Sequence, residues 1–424
     1  MPESQIINRK FGPYILIKEL GIGGMAETCL AIKQGPQGVR KFVALKSILP
    51  HFNNLHEYVQ MFYHEAGLGL WMNHPNVIHT WDVTEIEQRH TMVMEYLNGV
   101  TLDEMINKAT LAHAPIPIDV AVWIAVTILD GLDYLHNLKD LDGTHLNVVH
   151  RDVSPQNIFA CYDGHCKLFD LGVSSSALDS EMMRQGMLVG KYAYMSPEQC
   201  RGDRIDARTD IFALAIVLYE MVLARPLFAR DTDIRTLDAV NNDTIQPPTS
   251  VKPDFPAYLS KIIMKGLERD MSRRYQTAHE FADDLRTFMK ISGYPQTRFA
   301  LSKYLKSLFN DKIIENEAFI AQALKLIEET NPPCRFNVGD SLDLCLFDDS
   351  QRSRNQKTEI SFSRLQPIEP PDDASMTPER TPKVINNDQS LNQIGKIYKV
   401  LTFAFGALFI LTFILLIAVK YEII

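Results

Sequence analysis

Cysteine is scarce and scattered in this chain. The six cysteines, at positions 29, 161, 166, 200, 334 and 345, include no Cys-x-x-Cys pair and no histidine at matching spacing, which excludes a zinc framework or a disulfide scaffold. Cys161 and Cys166 flank a turn at Tyr162-Asp163-Gly164-His165 and read as free thiols facing each other across a hairpin. Positive charge is also short, since 43 Lys and Arg against 52 Asp and Glu leave a net charge of −9. That balance excludes a nucleic-acid backbone as the main partner, because phosphate tracking needs a strongly basic face. Met1 to Lys10 lack an apolar core, so no secretory signal is expected there.

What is present divides the 424 residues unevenly. Apolar residues make up 46% of the chain, enough for one large or two modest cores. A charge-free apolar run, Val400 to Val419, has the length of one helical bilayer span and is bracketed by Lys396, Lys399 and Lys420. The lysines on its near side place the preceding residues in the cytoplasm, giving a single-pass anchor in the cell membrane. No Gly-x-x-x-Gly pair marks a dimer face in the run. Asn331 to Gln393, rich in Asp, Ser, Asn, Pro and Arg, reads as a disordered tether. Residues 291–330 show helical spacing at Ala300-Leu301, Tyr304-Leu305 and Leu308-Phe309 and read as helices docked on the domain before them. The expected organisation is an arm at 1–10, a main domain at 11–290, a helical extension at 291–330, a linker at 331–393 and the span with its tail at 394–424.

The main domain opens with alternating strands and turns. Tyr14-Ile15-Leu16-Ile17-Lys18-Glu19-Leu20 reads as a strand, Gly21-Ile22-Gly23-Gly24-Met25-Ala26 as a tight turn, and Thr28 to Ile32 as a second strand. Glycines in such a turn let the backbone approach phosphate oxygens closely. A strand, not a helix, follows the turn, which disfavours a dinucleotide fold. Lys46 ends the strand Phe42-Val43-Ala44-Leu45-Lys46, and Glu65 follows in a helical segment, spaced to form an ion pair with it. Met92-Val93-Met94-Glu95-Tyr96-Leu97 reads as a strand running into a hinge. Next come His150-Arg151-Asp152-Val153-Ser154-Pro155-Gln156-Asn157 and Asp170-Leu171-Gly172, in which Asn157 and Asp170 are hard oxygen ligands suited to Mg²⁺. Gly190-Lys191-Tyr192-Ala193-Tyr194-Met195-Ser196-Pro197-Glu198, Asp210 and Arg274 complete the set.

In this order the segments resemble the bacterial members of the eukaryotic-type Ser/Thr protein kinase family, over about Phe11 to Lys290. The resemblance implies an α+β fold of two lobes, a small mainly β N-lobe at 11–97 and a large mainly α C-lobe at 98–290, with ATP and Mg²⁺ as requirements. It implies that Leu20, Gly21, Ile22, Gly23, Gly24, Met25, Ala26, Glu27, Thr28, Ala44, Lys46, Glu95 and Leu97 surround ATP, with Met94 as gatekeeper. Glu65 would fix Lys46, Asp152 would accept the proton of a substrate hydroxyl, and Asn157 and Asp170 would hold the metal. Glu198 and Arg274 would form a buried pair, and Asp210 would be scaffold. Ser154-Pro155-Gln156 points to Ser/Thr rather than tyrosine substrates, and Tyr194 to Glu198 to proteins rather than small molecules. The implied partners are ATP, protein substrates, membrane lipid around the C-terminal run and a second copy of the chain, brought close by tethering.

Several positions depart from the family pattern, among them Thr28, which stands at a valine. Ala26 stands at the third glycine, Leu171 replaces a phenylalanine, and Ser154 replaces a catalytic-loop lysine that contacts the transferred phosphate. That lysine ordinarily bonds a threonine just after the activation-segment glycine, a position held here by Lys191. The reading is a swap in which Lys191 reaches back beside Asp152 and supplies the missing ammonium. No threonine lies between Asp170 and Glu198, so Ser174, Ser175, Ser176 and Ser180 are the candidate phosphosites that Arg151 would pair with. The alternative function is a pseudokinase scaffold that binds nucleotide or partners without transfer.

Overall fold

Tyr14 to Ile17 and Cys29 to Ile32 are unbroken apolar runs, and strands of that composition bury both faces. A computed structural model of the chain describes residues 6–35, 39–112, 114–140, 142–171, 191–295 and 297–330, with the backbone alone for Lys191. Its first layer is an antiparallel sheet of β1 (Arg9–Phe11), β2 (Tyr14–Ile22), β3 (Ala26–Gln34), β4 (Arg40–Ile48), β5 (Thr80–Ile86) and β6 (Arg89–Glu95), in the order β1-β2-β3-β4-β6-β5. One face gathers Tyr14, Leu16, Cys29, Ala31, Val43, Leu45 and Val93 into a single cluster. On the opposite face, Ala44, Ile48, Met92 and Met94 pack on Phe62 and Ala66 of the helix α1 (His56–Trp71).

Helix α1 presents Phe62, Glu65, Ala66 and Gly69 to the sheet, the i, i+3, i+4, i+7 stripe of an amphipathic helix. Gly69 is needed because a Cβ there would stand 2.6 Å from Thr80 Oγ1. The close approach seats α1 on β5 and thereby fixes where Glu65 points.

The larger lobe starts after the hinge with the small sheet β7 (Gly99–Thr101), β8 (Ile158–Cys161) and β9 (Cys166–Leu168). Around it lie α2 (Leu102–Leu111), α3 (Ile118–His136), α4 (Pro197–Arg201), α5 (Arg208–Leu223), α6 (Asp233–Asn242), α7 (Pro248–Val251), α8 (Ala257–Gly266), α9 (Ala278–Ile291) and α10 (Arg298–Thr330). Every residue of α5 from Thr209 to Leu223 is buried. A helix apolar on all sides belongs at the centre of a lobe, and α3, α8 and α9 pack around this one. Cys161 and Cys166 are buried free thiols on β8 and β9, joined by the expected turn, but they do not face each other: Cys166 is opposite Ala160, and Cys161 N donates to His165 O at 2.8 Å. Burial pushes the Cys161 thiol up to about 12, which makes it a poor nucleophile.

The extension packs on both lobes of the domain before it. Ile291 closes α9, and α10 is two helical halves that meet at non-helical Phe309 (φ −124°, ψ 24°). Its first half joins the large-lobe core through Leu301, Leu305 and Phe309. Its second half buries Ala323 and Ile327 against Ile15, Ile17, Leu30 and Ile32 of the sheet, which is how the second face of those strands is covered. No helix among the described residues is long and apolar enough to cross a membrane. The run Val400 to Val419 and the linker 331–393 lie outside the described residues.

Candidate active site

Lys46 comes from the middle sheet strand β4, and its ammonium is surrounded by opposite charge. Nζ donates to Glu65 Oε1 and to Asp170 Oδ1, both at 2.7 Å. Burial would lower this ammonium, but Asp170 and Glu65 outweigh it and hold the group above its ordinary value. Lys46 is thus a fixed positive charge joining the small lobe, α1 and the segment after β9. Thr28 pairs with Lys46 and Ala44 with Met94 across the sheet, so these side chains share one face.

The glycine turn spans β2 and β3, with Ile22 opposite Glu27 and Gly23 N donating to Ala26 O at 2.8 Å. Leu20 and Ile22 are exposed on it, and a Cβ at Gly21 would meet nothing within 4 Å, leaving open space along the backbone. Glu27 is held by Arg89 at 2.6 Å, and Arg89 also donates to Ile48 O, so the turn is anchored at its base. At the hinge, Glu95 N donates to His79 O at 3.0 Å, which narrows the Glu95 contribution to an adenine edge to its carbonyl. The Glu95 carboxylate accepts from Lys167 Nζ at 2.6 Å and from His79 N at 2.8 Å. A small cavity behind Met94 is lined by Glu65, Gly69, His150, Asp170 and Leu171. Leu171, which stands in place of a phenylalanine, packs partly buried on the large-lobe core.

The catalytic loop is positioned from below by α5. Asp210 accepts from His150 N and Arg151 N at 2.8 Å each and from His136 Nε2 at 2.8 Å. Burial would raise this carboxyl, but His136 and His150 hold it below its ordinary value, so it stays an anion under the loop. Arg151 and Asp170 sit at φ 67° and 53°, left-handed values that cost energy for side chains of this kind and mark functional backbone. Gln199 Nε2 donates to Arg151 O at 2.9 Å while Gln199 closes a capping box with Ser196. Asn157 Nδ2 donates to Asp152 O at 2.8 Å, which leaves the Asn157 Oδ1 as the atom for a cation. Asn157 and Asp170 suit a divalent cation that keeps water and phosphate oxygens as further ligands. No group of three or more His, Cys, Asp or Glu forms a dedicated metal cage among the described residues.

Ser154 is buried within this loop, its carbonyl accepting from Asn157 N at 3.0 Å. Lys191 opens a 3₁₀ turn, Lys191–Tyr194, and its side chain lies outside the described residues, as do Ser174, Ser175, Ser176 and Ser180. Glu198 and Arg274 form a buried bidentate pair, at 2.8 and 3.2 Å. Three functional groups escaped the sequence reading: Lys167, Gln199 and the histidine partner of Asp210. Only Gln199 had a local signal, the Ser-x-x-Gln spacing of a capping box with Pro197 at the first turn.

Glu220 on α5 supports the substrate-side segment, accepting from Tyr194 OH at 2.7 Å and from Leu227 N at 2.9 Å. Burial pushes its carboxyl from the ordinary 4.5 up to about 7, although both hydrogen bonds oppose the shift. Between those values the folded chain holds a proton that the unfolded chain has released, so stability falls as pH rises from 4.5 through about 7. Glu220→Gln removes that penalty. Urea unfolding should show the variant gaining on the native chain above pH 7, by at most about 3 kcal/mol, with the gain vanishing near pH 5.

The protein kinase domain profile matches residues 14–285. Among curated proteins, the chain is 35% identical over 302 residues to the tyrosine-protein kinase MasK of Myxococcus xanthus, covering 71% of this chain and 47% of that one. It is 28% identical over 294 residues to the serine/threonine-protein kinase PrkC of Bacillus subtilis, covering 69% and 43%. It is 30% identical over 279 residues to the serine/threonine-protein kinase PknB of Mycobacterium tuberculosis, covering 64% and 42%. The chain therefore spans less than half the length of these relatives. With Lys46, Glu65 and Asp170 assembled where that profile lies, the chain belongs to the protein kinase family, with bacterial serine/threonine kinases among its relatives.

Proposed function

We propose that the chain transfers the γ-phosphate of ATP to serine and threonine hydroxyls of proteins, with Mg²⁺, from the cytoplasmic side of a membrane that holds its C-terminal apolar run. The observation that carries this reading is Lys46 gripped at 2.7 Å by both Glu65 and Asp170. That arrangement positions an ammonium for the α- and β-phosphates before substrate arrives, so little reorganisation is needed on binding. Asp152 takes the hydroxyl proton as the oxygen attacks the γ-phosphorus and the bond to the β,γ-bridging oxygen breaks to release ADP, and the backbone of its loop is fixed by Asp210 and Gln199. Asn157 and Asp170 would hold Mg²⁺, which would neutralise phosphate charge there.

The name of the Myxococcus relative favours a second reading, transfer to tyrosine. Phosphoamino-acid analysis of the full chain after incubation with Mg²⁺ and labelled ATP separates the outcomes. Phosphoserine and phosphothreonine support the proposal, phosphotyrosine alone selects the second reading, and no label at all leaves the pseudokinase scaffold. The swap of charge between Ser154 and Lys191 belongs to the same proposal. Lys191→Ala should lower kcat by about 10²-fold, the loss of one preorganised charge at the reacting group, and Ser154→Lys combined with Lys191→Thr should restore most of it. Unchanged transfer by Lys191→Ala would sink the swap.

A further inference from the structure

Helix α10 touches both lobes and the hinge between them. On the large lobe, Leu301, Leu305 and Phe309 enter the core, and Ser302 Oγ donates to Tyr162 O at 2.7 Å. Its start rests on the β8–β9 turn, where Gly164 has φ +91° and a Cβ would stand 2.1 Å from Arg298 O. After the kink at Phe309, Asn316 Nδ2 donates to Asn98 Oδ1 at 3.1 Å and to Tyr96 OH at 3.4 Å, both just beyond Glu95 in the hinge. Further on, Ala323 and Ile327 are fully buried against Ile15, Ile17, Leu30 and Ile32. Arg40 pairs with Glu328 at 3.0 Å, and Asn8 Nδ2 donates to Thr330 Oγ1 at 3.2 Å.

The register of the sheet says where this seam lies relative to the nucleotide. Ile32 is opposite Phe42, Leu30 opposite Ala44 and Thr28 opposite Lys46, so these rows share one face. The helix covers the Ile32 and Leu30 rows, and the next row carries Lys46 and Thr28. Lobes joined by a hinge alone can swing apart, whereas a helix seated in both must lose an apolar seam before they move. We propose that α10 is a strap that sets the spacing of the two lobes and so positions Ala44 and Lys46 over the nucleotide. Asn316, Ala323 and Ile327 are then positioning residues, acting through the sheet and hinge. The strap rests on the reading that ATP binds this face, and it adds a requirement that residues 14–285 alone do not meet.

The test uses the full chain with Ala323→Glu, which drives a charge into the seam, Asn316→Ala, which removes only the hinge contacts, and the exposed control Lys325→Gln. Affinity for Mg²⁺ with a non-hydrolysable ATP analogue is measured by calorimetry, and amide exchange is followed across β2, β3, β4 and α5. The expected result is an analogue Kd raised about 5- to 10-fold by Ala323→Glu and about 2-fold by Asn316→Ala, with no change for the control. Exchange should quicken in β2 to β4 and not in α5. Release of residues 316–330 with Kd and β4 exchange unaltered would overturn the strap, and if Ala323→Glu fails to fold, Asn316→Ala decides by the same two readouts. A native chain that binds the analogue but transfers no phosphate refutes the kinase proposal alone. A native chain that binds no analogue overturns the strap together with the nucleotide reading it rests on.

Discussion

Asp152→Asn is expected to lower phosphoryl transfer by about 10²- to 10⁴-fold, the range for loss of a positioned proton acceptor. The exchange keeps the shape of the side chain and removes its basicity. The backbone around it is held independently of the carboxylate, since Asp152 O accepts from Asn157 Nδ2 and Arg151 is fixed by Asp210 and Gln199. The loss should therefore fall on kcat, with the KM for ATP and the unfolding midpoint near native values. Asp170→Asn gives the contrasting pattern, because Asp170 is both a cation ligand and a partner of Lys46. Its kcat should fall as well, with a raised requirement for Mg²⁺ and weaker ATP binding. Steady-state kinetics over a range of ATP and Mg²⁺ concentrations distinguishes the two. Equal kcat losses with identical Mg²⁺ dependence would contradict the division of roles.

The parts of this site that could be read from the sequence are those whose partners are announced by residue type and order. Lys46 with Glu65 is one case, and Glu198 with Arg274 is another, each predicted as a pair and found at hydrogen-bond distance. The thiols Cys161 and Cys166 show the limit of that logic, because the register set by the turn places Cys166 opposite Ala160 and not opposite Cys161. The unseen parts depend on packing between distant elements. Nothing local to Phe319, Ala323 or Ile327 says that their stripe seats on β2 and β3, some 300 residues earlier. The apolar runs of β2 and β3 signal that both of their faces are covered, but not by what. Lys167 reaching Glu95 is likewise invisible, since a lysine in a short strand is ordinarily solvated. Left-handed Arg151 and Asp170 are not legible either, because no glycine or asparagine marks those positions.

Arg274→Met is expected to be the most destabilising single exchange, costing about 3–5 kcal/mol, the range for breaking a buried ion pair from one side. The guanidinium is fully buried, bonds both Glu198 oxygens and also donates to Glu268 O and Arg208 O. Methionine fills much of the volume but takes the guanidinium donors from those acceptors and leaves Glu198, with Thr209 Oγ1 still donating to it at 3.0 Å, as a buried anion. The pH dependence identifies the cause. Burial would raise the Glu198 carboxyl, and Arg274 reverses this to hold it below its ordinary 4.5. In the native chain the pair therefore contributes stability above pH 4.5, which is lost as pH falls through the lower folded value. Without Arg274 burial is opposed by the neutral Thr209 hydroxyl and a backbone N–H and no longer by the guanidinium, so the carboxyl rises and the variant recovers relative stability as acid protonates it. Urea unfolding should show a wide gap between native and variant at pH 7.5 that narrows toward pH 5. Glu198→Gln added to Arg274→Met should recover part of the loss at pH 7.5, because it removes the stranded charge. A gap independent of pH, with no recovery in the double variant, would instead assign the cost to the carbonyls of Glu268 and Arg208. Either way the loss should reach the catalytic loop, since α4 carries both Glu198 and the Gln199 that holds Arg151.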